Sequence, residues 1–320
     1  MKDQNNEILV SICCITYNQA PYIRQCLDGF IMQKTNFKFE IIVHDDCSTD
    51  GTTDIVKEYA DKYPDLIVPI FQKVNQYQNG NKRILATFVY PKAIGKYIAL
   101  CEGDDYWIDP LKLQKQVDFL ESHPDYSMCF HNAIEKSGTK ERCFSNIKNR
   151  DYSGKEILEQ FIVATSSVLF INSVIKTDEY KTIISDKKII VGDLPLWLSC
   201  IAMGKCRGFS DTMSVYRRTE MGWTANSKNV ERHEQLGDMY FSLNAYFDGQ
   251  YENILKNKLT QDYLYAIFLS FKLPNNHIRW NLLSRLLKKS TPYIIFINVS
   301  KMISTKVWLS LTGKHSWGTS

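Results

Sequence analysis

The chain has 320 residues, of which 44% are hydrophobic and 23% are charged, which is enough apolar content for a folded core. No stretch reaches the roughly 18 apolar residues that a membrane-spanning helix requires. The net charge of +4 is uneven, because residues 251–320 carry ten Lys or Arg against two Asp or Glu, a net +8 that leaves −4 for the other 250 residues. A basic tail on a slightly acidic body indicates an anionic surface as partner.

The amino-terminal stretch MKDQNNEILVSICCITYN lacks the pattern of a secretory signal, because Asp3 and Glu7 precede its apolar run and Ser11 interrupts it. The nine cysteines include no C-x-x-C pair, so neither a zinc site nor a redox motif is indicated. We therefore expect a cytoplasmic protein whose thiols stay reduced.

The first part of the chain alternates between short apolar runs and segments with helical spacing. The predicted strands are 8–16, 39–45, 66–71, 96–100 and 126–133. The predicted helices are 20–33, 52–62, 83–94 and a segment that follows Pro110. This alternation predicts an α/β protein with a doubly wound, mostly parallel sheet and flanking helices.

The second part of the chain is less regular. It contains predicted strands at 166–171 and 213–217 and a predicted helix that begins near Asp193. From about residue 228 the spacing is helical. One face of 277–289 carries Ile278, Leu282, Leu283, Leu286 and Leu287. We therefore expect one domain at 1–227 and a helical carboxyl-terminal region at 228–320.

Polar residues follow three predicted strands, in TYN (16–18), HDD (44–46) and EGDD (102–105). Ligands of doubly wound sheets bind beyond the carboxyl ends of the strands, so we expect these residues to converge. The carboxylates of Glu102, Asp104 and Asp105 would repel one another without a cation. Oxygen ligands of this kind suit Mg²⁺ or Mn²⁺ that shares its coordination with substrate phosphates. A polar turn followed by a helix cap is the alternative interpretation.

Asp46 and Asp193 are candidates for binding and catalysis. Asp46 can accept a hydrogen bond from an imide N–H such as that of uracil, although the segment VHDDCSTDG also suits a run of helix caps. Asp193 is either a helix cap, with Pro195 in the first turn, or a general base at the rim of the crevice. Tyr17 can lie against a flat base or fill space beside the sheet.

The segment YRRTEMGW offers further candidates. Arg217 and Arg218 can face either phosphates or solvent, and Trp223 beside Gly222 can form a mobile flap or pack on its neighbours.

Several nucleotide and hydrolase motifs are missing from the sequence. There is no G-x-G-x-x-G after the first strand, no G-x-x-x-x-G-K-[ST], no G-x-S-x-G and no H-E-x-x-H. Their absence disfavours nicotinamide or flavin enzymes, P-loop proteins, serine hydrolases and zinc proteases.

The segments VSICCITYNQAPYIRQCL, FEIIVHDDCSTDGTTDI, GKYIALCEGDDYWIDP and VGDLPLWLSCIAMGK occur in this order. Together they resemble the inverting, nucleotide-sugar-dependent glycosyltransferases of GT-A fold that are called family 2. The resemblance covers about residues 8–225. It does not extend over the basic tail.

The resemblance implies a role for each matching residue. Thr16, Tyr17, Asn18 and Asp46 would hold the uracil and ribose of a UDP-sugar donor. Asp104 and Asp105 would lie at a Mn²⁺ or Mg²⁺ ion and the donor diphosphate, with Glu102 as the first acidic position of the motif. Asp193 would be the catalytic base. The segment with Arg217, Arg218 and Trp223 would close over the donor.

Three positions depart from the family pattern. Cys47 stands where the family usually has Gly, and Gly192 stands where an acidic residue is common. Thr219 falls where related proteins often carry a histidine, so Arg217 or Arg218 takes over that work in this interpretation.

The expected activity is transfer of a sugar to a hydroxyl of a glycan or a lipid-diphosphate-linked acceptor, in cell-surface polysaccharide synthesis. Residues 251–320 are expected to contact the inner face of the cytoplasmic membrane or, alternatively, to cap the main domain. Nucleic acid is not an expected partner. The alternative functions are a non-catalytic nucleotide-sugar-binding subunit and a sugar-phosphate nucleotidyltransferase, although TYNQAPY lacks the glycines that the latter requires.

Overall fold

The computed structural model describes residues 7–219, 229–273 and 276–312, with side chains as far as residue 304. The described residues divide into two compact units. The first unit comprises the described residues up to 157, 161–184 and 191–219, and the second comprises 158–160, 185–190 and those from 229 onward. The predicted boundary between residues 227 and 228 lies outside the described residues.

The sheet lies in the first unit. Its strands are β1 (Ile8–Thr16), β2 (Lys38–Asp45), β3 (Ile67–Phe71), β4 (Tyr97–Leu100), β5 (Tyr106–Trp107), β6 (Tyr126–Ser137), β7 (Lys140–Cys143), β8 (Arg150–Asp151), β9 (Leu169–Ile171) and β10 (Lys205–Arg217). The helices that connect these strands are α1 (Ala20–Ile31), α2 (Thr52–Lys62), α3 (Lys112–Ser122), α4 (Gly154–Gln160), α5 (Asp178–Ser185) and α6 (Asp193–Met203).

The strand order is β3-β2-β1-β4-β9-β6-β10-β5, with β7 beside β6 and β8 beside β10. Strands β3, β2, β1 and β4 are parallel, as are β6 and β10. The short strand β9 is antiparallel to β4 and β6 on either side of it. The predicted doubly wound α/β sheet is therefore confirmed, with antiparallel strands in its second half.

Strand β1 is covered on both faces, as its continuous apolar sequence predicts. Val10, Ile12 and Cys14 pack into a core cluster with α1 and α2, whereas Cys13 packs into a cluster on the opposite face. Successive side chains of a strand point to opposite faces, so every residue of this run meets apolar neighbours.

Three predicted elements differ in the structure. The strand predicted at 166–171 is only Leu169–Ile171, because Thr165–Ser167 forms a 3-10 turn. The helix predicted at 83–94 is only a π-helical turn, Leu85–Val89, followed by a 3-10 turn, Tyr90–Lys92. Pro91 lies in the second turn, and proline has no N–H to donate to an α-helical ladder. The strand predicted at 213–217 is longer and begins at Lys205.

The second unit contains the helices α7 (Val230–Tyr246), α8 (Glu252–Ser270), α9 (Asn276–Lys289) and α10 (Pro292–Thr312). On the predicted apolar face of α9, Leu282 and Leu286 are buried, whereas Leu287 is 59% exposed, so only part of this face packs within the protein. Among the described residues, each helix is too short or too polar to cross a lipid bilayer.

The ends of β1 and β4 approach each other closely at Gly103. The Gly103 N–H donates to the Ile15 carbonyl at 2.9 Å. A Cβ atom on Gly103 would lie 2.8 Å from the Cβ of Thr16 and 2.5 Å from Oε1 of Gln19. Since Thr16 belongs to a central strand, it cannot move aside as a flexible side chain would. Only glycine fits between these two strand ends.

Gly103→Ala should therefore destabilise the fold by about 1–3 kcal/mol, the usual cost of overpacking a fixed site. The free energy of unfolding in urea measures this loss. Gly192→Ala is the matched control, because a Cβ there meets nothing within 4 Å and the backbone φ is −88°. The control should change the free energy by less than about 0.5 kcal/mol. Equal losses in both variants would contradict the close approach at Gly103.

Candidate active site

The polar exits of β1, β2 and β4 lie side by side because these strands are parallel neighbours. Thr16 is in register with Asp45, and Cys13 is in register with Leu100. The Asp46 N–H donates to the Thr16 carbonyl at 3.0 Å. The backbone thus brings TYN, HDD and EGDD together at one sheet edge, as the sequence predicts.

The segment after β1 is tied to the segment after β2 by hydrogen bonds. The Asn18 N–H donates to Oγ of Ser48 at 2.9 Å, and Oδ1 of Asn18 accepts the Thr49 N–H at 2.8 Å. Asn18 and Cys47 have φ values of 50° and 64°. This left-handed region suits glycine, which explains in physical terms why the family usually has Gly at position 47.

The carboxylate of Asp46 shapes a loop that the sequence did not single out. It accepts the backbone N–H groups of Gln76 at 2.8 Å and Tyr77 at 3.0 Å. Both contacts join residues about 30 positions apart, so no local pattern could have indicated them. Asp46 is buried, and its carboxylate binds this loop at the sheet edge where a nucleotide is expected.

Asp104 and Asp105 are buried, and their relative solvent exposures are 7% and 1%. Oδ1 of Asp105 accepts the Arg217 N–H at 2.8 Å, whereas Oδ2 is buried and accepts no hydrogen bond within the described ranges. Oδ2 of Asp104 accepts the hydroxyl of Thr219 at 3.4 Å. A buried carboxylate oxygen without a donor is a free ligand position.

Negative charges accumulate at this strand end. Burial raises the pKa of Glu102, and the charges of Asp104, Asp193 and Asp105 raise it further, in that order. Burial and then the charge of Asp104 raise the pKa of Asp105. Both shifts have the direction expected when like charges lie near one another.

Asp193 is the first residue of α6, where its side chain does not cap the helix. Its Oδ2 accepts the hydroxyl of Thr165 at 3.1 Å. Burial raises the pKa of Asp193, and the hydrogen bond from Thr165 lowers it. A raised pKa brings a carboxylate closer to the range that suits a general base near neutral pH.

The two arginines of the RR pair have different surroundings. The guanidinium of Arg217 donates to the Asp104 carbonyl at 2.6 Å and stacks 4.2 Å from the Tyr106 ring. Nε of Arg218 instead pairs with Glu135 at 2.7 Å. Arg217 therefore braces the acidic turn, and Arg218 belongs to an ion pair on β6. Trp223 lies outside the described residues.

The acidic turn offers part of the ligand set of a divalent cation, and water or phosphate oxygens would have to supply the rest. Within the part of the chain that the structure describes, no group of three or more His, Cys, Asp or Glu side chains is arranged so that it could hold a metal ion by itself. Asp104, Asp105 and Glu102 nevertheless offer hard oxygen ligands, one of them without a hydrogen-bond donor. This donor set suits Mg²⁺ or Mn²⁺ held partly by water or phosphate oxygens.

Comparisons with known proteins agree with this geometry. Residues 11–177 match the model of glycosyl transferase family 2. An uncharacterized protein of Mycobacterium tuberculosis is 40% identical over 217 residues, which are 67% of this chain and 60% of that protein. The chain thus spans about three fifths of the length of the mycobacterial relatives it matches.

A second relative is the UDP-Glc:alpha-D-GlcNAc-diphosphoundecaprenol beta-1,3-glucosyltransferase WfaP of Escherichia coli. It is 28% identical over 225 residues, which are 70% of this chain and 82% of WfaP. Among solved structures, S. aureus TarS 1-349 in complex with UDP-GlcNAc aligns with a TM-score of 0.64 at 16% identity, covering 90% of this chain and 83% of TarS. This likeness confirms the GT-A type fold, and the family match shows that the chain belongs to glycosyl transferase family 2.

Proposed function

We propose that the protein transfers a sugar from a UDP-sugar to a hydroxyl of a glycan or lipid-diphosphate-linked saccharide, with inversion at the anomeric carbon, in cell-surface polysaccharide synthesis. The observation that carries this proposal is geometric: Asp193 accepts the hydroxyl of Thr165 at 3.1 Å, and Trp107, two residues after Asp105, donates to the adjacent Ser166 carbonyl at 2.9 Å. The names of WfaP and of the TarS complex support a UDP-linked donor.

In this proposal the donor nucleotide binds where β1 and β2 end. Thr16, Tyr17 and Asn18 follow β1, and Asp46 follows β2. The uracil and ribose would lie against these residues and the loop at Gln76 that Asp46 holds. The carboxylate of Asp46 already accepts two backbone N–H groups of that loop. Asp46 would therefore position the uracil and ribose through the loop as well as by direct contact.

The donor diphosphate would lie over Asp104 and Asp105. A divalent cation held there supplies Lewis-acid stabilisation of the leaving diphosphate. Arg217 holds the turn that carries both carboxylates, through its N–H on Asp105 and its guanidinium on the Asp104 carbonyl. In this proposal Arg217 positions the cation ligands and Arg218 does not contact the donor.

Asp193 would remove the proton of the acceptor hydroxyl as that oxygen attacks the anomeric carbon from the face opposite the diphosphate. An α-linked donor then gives a β-linked product. Because burial raises the pKa of Asp193, the transfer rate should decline as the pH falls through this raised value. The acid limb of the rate profile should thus lie above the range of an ordinary aspartate.

Asp193→Asn should leave UDP binding intact and reduce transfer about 10²- to 10⁴-fold, the usual contribution of a general base. UDP-dependent thermal stabilisation and transfer from a panel of UDP- and GDP-sugars measure the two effects. Asp178→Asn is the control, because the Asp178 side chain is 98% exposed. Near wild-type turnover of Asp193→Asn would show that another group is the base. A wild-type protein that binds UDP tightly and transfers no sugar would favour the non-catalytic alternative.

Removal of divalent cations by a chelator should abolish transfer, and Mn²⁺ or Mg²⁺ should restore it. Asp105→Asn should weaken Mn²⁺-dependent UDP binding in calorimetry, because it neutralises a cation ligand. Asp54→Asn is the matched control on α2, where the side chain is 84% exposed. Full activity in the chelator would contradict the proposal that the acidic turn binds a metal ion.

We further propose that the helical unit binds the anionic inner face of the cytoplasmic membrane. Trp280, Tyr293 and Phe296 are 70%, 72% and 70% exposed on α9 and α10. On α9, and on α10 as far as residue 304, the basic side chains without a described ion pair are Arg279, Lys288 and Lys301. Exposed aromatic rings beside cations match the chemistry of an anionic lipid surface.

Replacement of Trp280, Tyr293 and Phe296 by Ser should weaken binding to phosphatidylglycerol vesicles at least about 10-fold, since each ring contributes buried apolar area. Sedimentation with vesicles measures this binding, and phosphatidylcholine vesicles should bind weakly throughout. Ile94→Ser is the control, because Ile94 is 68% exposed in the other unit. Unchanged sedimentation of the triple variant would favour a purely structural role for the helices.

A further inference from the structure

A short turn lies between the proposed base and the acidic segment. Thr165–Ser167 forms a 3-10 turn that precedes β9, and all three of its hydroxyl residues are buried. The hydroxyl of Thr165 donates to Oδ2 of Asp193 at 3.1 Å, whereas the hydroxyl of Ser167 donates to the Ala164 carbonyl at 2.6 Å. Two hydroxyls of one turn thus have different partners, and only the first contacts Asp193.

The backbone of this turn is held by the segment that carries the acidic motif. Nε1 of Trp107, two residues after Asp105, donates to the Ser166 carbonyl at 2.9 Å. Nε2 of Gln116 donates to the Ser167 carbonyl at 3.0 Å, and the buried Nζ of Lys112 donates to Oε1 of Gln116 at 2.7 Å. The turn therefore keeps a fixed position relative to the cation ligands.

We propose that Thr165 is a positioning residue for the transfer reaction, because its hydroxyl fixes Oδ2 of Asp193 and leaves Oδ1 for the acceptor hydroxyl. Oδ1 accepts no hydrogen bond from the described residues. The inference rests on the proposed function of Asp193 as the base. It adds that the turn sets the distance between the base and the cation ligands, since Thr165 and the Ser166 carbonyl are adjacent.

The hydrogen bond also acts on the ionisation of the base. A donor favours the charged form of a carboxylate, so Thr165 lowers the pKa that burial raises. Without this hydroxyl the pKa of Asp193 would rise further. A smaller fraction of the enzyme would then carry an ionised base at neutral pH, and the side chain could rotate away from the acceptor.

Thr165→Val, which keeps the shape and loses the hydroxyl, should reduce kcat about 10- to 100-fold, as expected when a hydrogen bond to a charged group is lost. The acid limb of the kcat profile should move to higher pH, and KM for the donor should change little. Thr165→Ser should restore most of kcat. Ser167→Ala is the matched control in the same turn, and its acid limb should stay in place.

Two outcomes overturn the inference in distinguishable ways. If Asp193→Asn is inactive but Thr165→Val has a wild-type kcat and acid limb, the positioning role alone is wrong. If Asp193→Asn retains full turnover, the proposed base and the role of Thr165 are both wrong. Thermal unfolding against pH is the second readout: Thr165→Val should alter the pH dependence of Tm in the wild type and leave it unchanged in an Asp193→Asn background.

Discussion

Repulsion among buried carboxylates is the constraint on which the site depends. Glu102, Asp104, Asp105 and Asp193 meet at one edge of the sheet, and burial raises the pKa of each. A carboxyl whose pKa is raised by folding stays protonated in the native state at pH values where the unfolded chain has lost the proton. Stability therefore falls as the pH rises from the ordinary carboxyl pKa through the raised one. In the function proposed above, a cation at this edge would offset the repulsion among these charges.

Arg217, which donates to Asp105 in the acidic turn, comes from a distant part of the chain. β5 follows the acidic turn directly and pairs antiparallel with β10, so that Val215 lies opposite Tyr106. This register places Arg217, at the end of β10, beside Asp105, which is 112 residues earlier. The guanidinium of Arg217 also stacks on the aromatic ring of Tyr106. The pairing of β5 with β10 thus determines where the positive charge of the site lies.

Local periodicity predicted most helices, strands and strand ends, but it did not predict the contacts between them. β1, β2 and α2 have clean patterns of period 2 or 3.6, and the strand-end rule located the acidic residues. The sequence pair Arg217 and Arg218 could not reveal which side chain faces the carboxylates, because neighbours on an extended chain point to opposite sides and the register decides between them. The loop at Gln76 and the hydroxyl of Thr165 were missed for a related reason: each meets its aspartate about 30 residues away, and single polar residues leave no periodic signal.

The carboxyl-terminal helices illustrate a limit of amphipathic patterns. The apolar face of α9 was visible in the sequence, but a helix packed on other helices shows the same period as a helix lying on lipid. Burial of Leu282 and Leu286 assigns part of that face to the interior, whereas Leu287 on the same face is exposed. Net charge is equally ambiguous, since Arg285 and Lys289 both pair with Asp238 and Arg285 also pairs with Glu234. The unpaired basic charge of these helices is therefore smaller than the basic count implies, and no periodicity predicted the exposed rings of Trp280, Tyr293 and Phe296.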